Sequence, residues 1–114
     1  MVSSAAAYDG QPGSVVYSAT KGAIRSLTLP LARDLSRYGI RAVSIAPNMF
    51  ETAMTSRDSM SEKARQGLNR ALEFPKRGGR PEEFASLVLE ICSNRMLNGC
   101  CLRIDGATRL SGKI

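Results

Sequence analysis

The sequence contains no histidine, and this absence excludes several catalytic strategies. Ser-His-Asp and Cys-His nucleophilic sites both need an imidazole, and most protein metal sites use one as a ligand. The three cysteines, Cys92, Cys100 and Cys101, are an odd number without C-x-x-C spacing, which disfavours a disulfide framework or a zinc site. We therefore predict reduced thiols, no metal, and chemistry that depends on other side chains.

Long apolar runs and targeting segments are also missing. No run approaches the roughly 20 apolar residues that span a bilayer, and the opening MVSSAAAYDG has no basic or Arg-rich amphipathic pattern. The net charge of +6 is compatible with nucleic acid or acidic membranes as partners. The basic residues are scattered, however, and the one dense group, Lys76 to Arg80, has no interleaved aromatic residues. We expect no nucleic acid and no membrane partner.

One long helix is predicted between Ser14 and Tyr38. Ser14 is its candidate N-cap, Gly39 is its candidate stop, and Pro30 is expected to bend the helix rather than end it. Apolar side chains recur at spacings of three and four, which places them on one buried face: Ile24, Leu27, Leu31 and Leu35.

Two further helices are predicted later in the chain. Arg80-Pro81-Glu82-Glu83 opens one of them, with proline in the first turn and acids near the positive end of the helix dipole. Its predicted buried stripe is Phe84, Leu87, Val88 and Ile91. Ser59 with Glu62 is a possible capping box for a polar helix that runs to about Leu72, which is a weaker pattern.

Short apolar segments predict a parallel sheet. Residues 40–46 (IRAVSIA) and 99–104 (GCCLRI) have the composition of buried strands, and the opening MVSS resembles the end of a third. Strands that alternate with helices imply crossover connections, so the predicted fold class is α/β. Parallel sheets need several strands and covered faces. We therefore expect this chain to be part of a larger domain.

The sequence YSATK places Tyr17 and Lys21 four positions apart at the start of the long helix. Residues at that spacing share a helix face, so the lysine ammonium is expected near the phenol, where a positive charge favours the phenolate. Such a phenol exchanges a proton with an alcohol or a carbonyl near neutral pH. The same spacing also arises by chance, so the pair needs support from its surroundings.

Two segments that follow predicted strands give this support. Ser4 lies 13 residues before Tyr17, beyond the first strand, and sites in open parallel sheets gather at the carboxyl ends of strands. Its hydroxyl either contacts the same substrate carbonyl as Tyr17 or satisfies a turn, and Ser3 is the competing candidate. Pro47 to Thr52 follow the next strand, where Thr52 either meets a cofactor amide or caps the loop.

Together these residues resemble the active site of the short-chain dehydrogenases/reductases. The resemblance includes the strand exit Ile45-Ala46-Pro47, the ending Arg103-Ile104-Asp105-Gly106, and the stretches LPLARDL, GIRAVSIAP and LNG, so that it covers nearly the whole chain. The fold it implies is the C-terminal half of a Rossmann-like, doubly wound parallel sheet with three α/β/α layers.

The resemblance implies hydride transfer between NAD and a secondary alcohol of the 3-hydroxyacyl-CoA or hydroxysteroid kind. Ser4 would orient the substrate oxygen, Tyr17 would be the general acid/base, and Lys21 would activate Tyr17. Tyr17 and Lys21 would also contact the nicotinamide ribose. The residues expected to line the nicotinamide are Pro47, Asn48, Met49, Phe50 and Thr52, with Thr52 on its carboxamide.

The resemblance also bears on the rest of the chain and on its partners. The stretch that follows Thr52, through about Leu72, corresponds to the mobile substrate-binding segment of the family. Related enzymes form homotetramers through the long helix and the last strand, and a mitochondrial location is implied.

Two departures from the family pattern shape the expected activity. The family has Pro-Gly where this chain has Pro47-Asn48, and asparagine is the next most tolerant residue at positive φ. The sequence also contains no G-x-x-x-G-x-G phosphate loop, and Gly78-Gly79 follows no strand and is not a substitute. Residues 1–114 are therefore expected to be a partial domain without the N-terminal dinucleotide-binding half, inactive alone. The alternative is a truncated, non-catalytic module that docks on full-length subunits through the helix from Ile24 to Leu35.

Overall fold

The structure, a computed structural model, describes residues 1–52, 61, 66, 67 and 70–112. Helix α1 spans Val15–Leu35, strand β1 spans Ser44–Pro47, helix α2 spans Pro81–Ser93 and strand β2 spans Cys101–Ile104. Short 3-10 helices occupy Ala5–Ala7 and Ser36–Tyr38. Most of the polar helix predicted before Leu72 lies outside the described residues.

Strands β1 and β2 pair in parallel, with Ser44 opposite Cys101 and Pro47 opposite Ile104. On the other edge of β1, Val2 forms a parallel bridge with Ile45. The Ser3 amide donates to the Ile45 carbonyl at 2.7 Å, and the Ile45 amide donates to the Met1 carbonyl at 3.0 Å. Strand β1 therefore has parallel neighbours on both sides, which confirms the predicted α/β class and the pairing of the opening segment.

Helix α1 packs its inner face on the start of β1 through small side chains. Thr28 and Ala32 are buried, and the Thr28 hydroxyl forms hydrogen bonds with the Ile24 carbonyl at 2.7 Å and the Ser44 hydroxyl at 2.9 Å. Leu27, by contrast, is 39% exposed. The predicted buried stripe is therefore wrong at Leu27, because the face that meets the sheet is centred on a threonine and an alanine.

The ends of α1 agree only partly with the predicted bounds. Ser14 is the N-cap residue as predicted, and its carbonyl accepts from the Ser18 amide at 2.7 Å, but its side chain makes no capping hydrogen bond. Gly39 adopts φ 70° after the 3-10 helix, which confirms the predicted stop, since glycine enters the left-handed region at no steric cost. The helix continues past Pro30 as predicted.

Helix α2 begins at Pro81 as predicted, but none of its side chains is fully buried. Phe84, Leu87 and Ile91 are half-buried, Val88 is exposed, and Leu89 is 70% exposed. The prediction that this stripe is buried is therefore wrong, because three of its side chains are only half-buried and the fourth is exposed. The described contacts hold the helix near its ends, where the Phe84 ring meets the Phe50 ring edge-on at 5.7 Å between centroids.

The C-terminal end of α2 is held by one guanidinium. Arg41 precedes β1, and its two terminal nitrogens donate to four backbone carbonyl oxygens at 2.7 to 3.3 Å, those of Ile91, Cys92, Asn94 and Leu97. The last carbonyls of a helix have no partner within the helix, and a cation there also complements the helix dipole. Arg41 therefore fastens α2 and the turn after it to the sheet.

In the described part of the chain, no helix is both long enough and apolar enough to cross a bilayer. The same residues contain no group of three or more metal-ligating side chains. The three cysteines are free thiols.

Glu83, near the start of α2, is expected to titrate far below an ordinary glutamate. Hydrogen bonds from the Arg77 guanidinium and the Arg80 amide favour its carboxylate and lower the pKa of Glu83 to about 2. A lowered pKa means that this contact contributes stability above the ordinary glutamate pKa and loses it as the pH falls through about 2. NMR titration of the Glu83 carboxyl carbon measures the midpoint. In Arg77→Gln the midpoint should rise, and a midpoint that the substitution leaves unchanged contradicts this account.

Candidate active site

A cleft of about 1130 Å³ opens beyond the carboxyl ends of the opening segment and β1. Four residues singled out in the sequence lie in its wall, namely Ser4, Tyr17, Asn48 and Met49. The remaining described wall comes from residues 107–111 and from ten further residues: Ala6, Gln11, Pro12, Ser14, Ser61, Gln66, Gly67, Arg70, Ala71 and Glu73. The structure thus brings together side chains from the start, the middle and the end of the chain.

Tyr17 lies in the first turn of α1 and is 51% exposed to the cleft side of the helix. The Lys21 ammonium is 5.8 Å from the centroid of the Tyr17 ring, on the same helix face, as the four-residue spacing predicts. That ammonium donates a hydrogen bond to the Val2 carbonyl at 3.1 Å, and Lys21 is not among the described residues that line the cleft. Lys21 therefore ties the helix to the sheet edge while its charge stays close to Tyr17.

The two candidate serines have different roles. Ser3 is 1% exposed, and its hydroxyl donates to the Lys21 carbonyl at 2.8 Å, so it joins the opening segment to α1. Ser4 is half-buried, lines the cleft, and caps the first 3-10 helix by accepting a hydrogen bond from the Ala6 amide at 3.2 Å. Because that bond uses a lone pair of the Ser4 oxygen, the hydroxyl proton remains available for a ligand.

Asn48 occupies the position where the family pattern has glycine, directly after β1. Among the described residues only Ala107 combines a side chain with a positive φ, so asparagine causes no backbone strain at position 48. The Asn48 amide donates to the Ile104 carbonyl at 3.3 Å, which holds the turn against β2. The side-chain nitrogen Nδ2 is buried without a hydrogen-bond partner. Buried donors are normally satisfied, so this one is a candidate ligand contact.

The other residues predicted to contact the nicotinamide differ in which pocket they line. Pro47 ends β1, and Met49 lines both the cleft and a smaller pocket of about 270 Å³ next to it. Phe50 lines only the smaller pocket. Its ring packs so closely on Gly79 that a Cβ added to Gly79 would lie 2.6 Å from a ring carbon of Phe50. Thr52 is exposed and is not among the described residues that line either pocket.

Sequence analysis missed an ion-pair cluster behind the cleft wall. Arg103 on β2 donates to both carboxylate oxygens of Asp9, at 3.0 and 3.1 Å, and also to Asp105. Burial alone would raise the pKa of the Asp9 carboxyl, but the hydrogen bonds from Arg103 and the Leu110 amide outweigh it and lower this pKa. Asp9 and Arg103 are 94 residues apart, so no local pattern connects them.

A family model described as enoyl-(acyl carrier protein) reductase matches residues 1–107. The chain belongs to the short-chain dehydrogenase/reductase family. The Rossmann-like α/β fold expected from the resemblance is confirmed by the solved structures that match the chain.

Two curated members of the short-chain dehydrogenase/reductase family are similar over most of the chain. The 3-hydroxyacyl-CoA dehydrogenase type-2 of Drosophila melanogaster is 50% identical over 107 residues, which are 94% of this chain and 41% of that protein. The mouse protein of the same name, from Mus musculus, is 48% identical over the same share of the chain and 40% of its own length.

A solved structure of a short-chain dehydrogenase/reductase gives the corresponding view of the fold. The 3-hydroxyacyl-CoA dehydrogenase type-2 of Mycobacterium avium matches with a TM-score of 0.86 and 38% identity, over 98% of this chain and 42% of that one. The chain therefore spans about two fifths of the length of the family members it matches.

Proposed function

We propose that this chain carries the proton-transfer side of the active site of an NAD-dependent oxidoreductase of secondary alcohols, of the 3-hydroxyacyl-CoA type. The observation that carries the proposal is that Ser4, Tyr17 and Asn48 line one cleft at the carboxyl ends of parallel strands. Family membership and the similarity to type-2 dehydrogenases support the reaction class. Residues 1–114 then form a partial domain whose dinucleotide-binding half is not in this sequence.

The proposed chemistry divides between the two hydroxyl groups in the cleft. Ser4 donates a hydrogen bond to the substrate oxygen, because its own lone pair is engaged by the Ala6 amide. Tyr17 gives its proton to that oxygen when a ketone is reduced and takes it back when an alcohol is oxidised. Lys21 holds a positive charge near the phenol in both directions.

The nicotinamide end of NAD fits the residues beyond β1. The buried and unpaired Asn48 Nδ2 is a donor for a carboxamide oxygen, and Met49 supplies apolar surface in the same wall. Pro47, Phe50 and Thr52 complete the proposed contact, together with Tyr17 and Lys21 at the ribose. When bound, the dinucleotide supplies or accepts the hydride. The sequence has no glycine-rich phosphate loop, so we expect the chain alone to be inactive.

The proposed partners are a small alcohol or ketone substrate and further subunits of the same kind, up to the tetramer of the family. Helix α1 supports the second, because apolar side chains are exposed in its first turn, with Val15 79% and Val16 76% exposed. A mitochondrial location is proposed from family resemblance.

The same exposed apolar side chains of α1 support a second candidate function, a non-catalytic module that docks on full-length subunits. Co-expression with the fly type-2 dehydrogenase separates the two by size-exclusion chromatography. The module is supported if the chain co-elutes with that protein and the chain contributes no activity to the complex. A monodisperse monomer contradicts it.

The test of the proposed function is a chimera in which this chain replaces the segment of the fly type-2 dehydrogenase that it matches. The replaced segment is about two fifths of that protein, and the retained part supplies the remainder of the domain. Acetoacetyl-CoA is the probe because it is the smallest 3-oxoacyl thioester of CoA whose reduction gives a secondary alcohol. We expect the chimera to oxidise NADH when acetoacetyl-CoA is added, and the chain alone to show no turnover. A folded chimera that binds NADH without turnover contradicts the proposal.

A further inference from the structure

Asp9 accepts three hydrogen bonds that join three separate parts of the chain. Its carboxylate accepts hydrogen bonds from both terminal nitrogens of Arg103. The oxygen Oδ2 also accepts from the Leu110 amide at 3.0 Å. The side chain of Asp9 is 9% exposed and that of Arg103 is 20% exposed, so the pair is shielded from solvent. Bidentate pairs between arginine and carboxylate fix geometry as well as energy. The loop that follows Ser4 is thereby fastened to β2 and to the end of the chain.

The segment that Asp9 holds is residues 107–111, which we call the tail segment, and it forms one wall of the cleft. Its first residue, Ala107, has φ 61°, a left-handed conformation in which the Cβ of an alanine is crowded by the backbone. Such a residue persists only where its surroundings determine it. The Ala107 amide donates to the Asp105 carboxylate at 3.1 Å, and the Thr108 carbonyl accepts from Arg103 at 3.3 Å. The ion-pair cluster therefore holds a strained turn in place.

The aromatic ring of Tyr8 also contacts the ion-pair cluster, through Arg103. Two guanidinium groups contact this ring, with Arg25 at 4.1 Å and Arg103 at 4.8 Å from the ring centroid. Cations over an aromatic face are attracted by the ring quadrupole. Arg25 belongs to α1, two turns beyond Tyr17, so the stack connects the helix that carries the phenol to the strand that carries Arg103. The cleft walls on both sides are thus joined through Tyr8 and Asp9.

We propose that Asp9 is a positioning residue of the cleft: through Arg103 and the Leu110 amide it holds the tail segment as the wall that faces the substrate. Asp9 does not line the cleft among the described residues, so it acts through the wall and not by contact with a ligand. The catalytic consequence rests on the proposed function, whereas the placement of the tail segment does not. Loss of the Asp9 charge should loosen one wall and leave Tyr17 and Ser4 in place.

Hydrogen exchange of the chain, measured residue by residue with NMR, tests the placement. In Asp9→Asn the Leu110 amide should exchange at least about 10-fold faster, while the sheet amides of Ser44 and Ile45 change less than about 2-fold. Asp34→Asn, an exposed aspartate on α1, is the matched control and should change neither. Three outcomes overturn the proposal: an unchanged Leu110 rate, equal acceleration of Leu110 and Ile45, or no protection of Leu110 in the unsubstituted chain.

Steady-state kinetics of the chimera test the consequence for the substrate. Asp9→Asn should raise KM for acetoacetyl-CoA at least about 5-fold and leave kcat within about 2-fold, because the wall binds the substrate and does not transfer the proton. A general loss of structure would lower the amount of active enzyme and therefore apparent kcat. An unchanged KM, or a fall in kcat alone, overturns the positioning role. An inactive chimera counts against the proposed function, and the exchange rates then still decide the placement.

Discussion

Tyr17→Phe in the chimera is expected to lower kcat for acetoacetyl-CoA reduction by about 100- to 10,000-fold, the usual contribution of a general acid/base. Phenylalanine retains the ring beside Lys21 but has no proton to give to the substrate oxygen. Tyr17 is 51% exposed and does not belong to the buried core, so the fold should tolerate the change. The rate of NADH oxidation under saturating acetoacetyl-CoA measures the effect.

The control for this substitution is Tyr38→Phe. Tyr38 is 62% exposed at the end of the second 3-10 helix, and its ring stacks on Arg37 at 4.7 Å. It lies outside the described wall of the cleft, so removal of its hydroxyl should leave kcat within about 2-fold. If the two substitutions lower kcat equally, or if Tyr17→Phe retains most of the activity, Tyr17 is not the acid/base.

Arg41→Ala is expected to destabilise the chimera by about 2–4 kcal/mol, which would be among the larger effects of a single substitution. The change leaves the carbonyls at the C-terminal end of α2 without the guanidinium that now binds four of them. The hydrogen bonds to the Ile91 and Leu97 carbonyls are partly buried, so water replaces the guanidinium there only incompletely. The free energy of unfolding from urea denaturation, followed by circular dichroism, measures the loss.

Two further variants separate geometry from charge in this prediction. Arg41→Lys keeps the positive charge but not the planar fork, so it should recover less than half of the loss. Arg95→Ala removes an exposed charge from the turn after α2 and should change stability by less than about 0.5 kcal/mol. Equal stability of Arg41→Ala and the unsubstituted chimera would contradict the role assigned to Arg41.

The parts of the fold that sequence analysis predicted are those with local causes. Gly39 ends the 3-10 helix that follows α1 because of its own backbone freedom, Pro81 starts α2 because proline suits the first turn, and the apolar runs at 40–46 and 99–104 overlap the paired strands. The observed strands are shorter, Ser44–Pro47 and Cys101–Ile104, since the residues before them form capping contacts such as that of the Ala42 amide with Asn98.

The packing of the helices was harder to predict because it depends on what lies opposite each face. Hydrophobic periodicity favoured Leu27, but the buried centre of α1 includes Thr28, whose hydroxyl is satisfied by Ile24 and Ser44. A polar residue of this kind is invisible to a count of apolar side chains. For α2 the sequence predicted the helix but not the burial of its apolar stripe, since none of its side chains is fully buried among the described residues and Val88 is exposed.

The candidate site divides in the same way. Tyr17 and Lys21 share a helix turn, so their spacing was sufficient to predict that they lie close together. The choice between Ser3 and Ser4 needed the structure, because only the direction of each side chain distinguishes a tie to Lys21 from a place in the cleft. Asp9 and Arg103 meet only through the fold, and although Arg103 belongs to the ending Arg103-Ile104-Asp105-Gly106, nothing in that stretch points to Asp9.

Transfer of deuterium by the chimera is the measurement that tests the central claim most directly. NADH deuterated at both C4 positions is incubated with acetoacetyl-CoA, and mass spectrometry locates the label in the product. The account predicts 3-hydroxybutyryl-CoA with one deuterium at C3, and in Tyr17→Phe the same label at a greatly reduced rate. Product without deuterium at C3, or no product from a folded chimera that binds NADH, would contradict it.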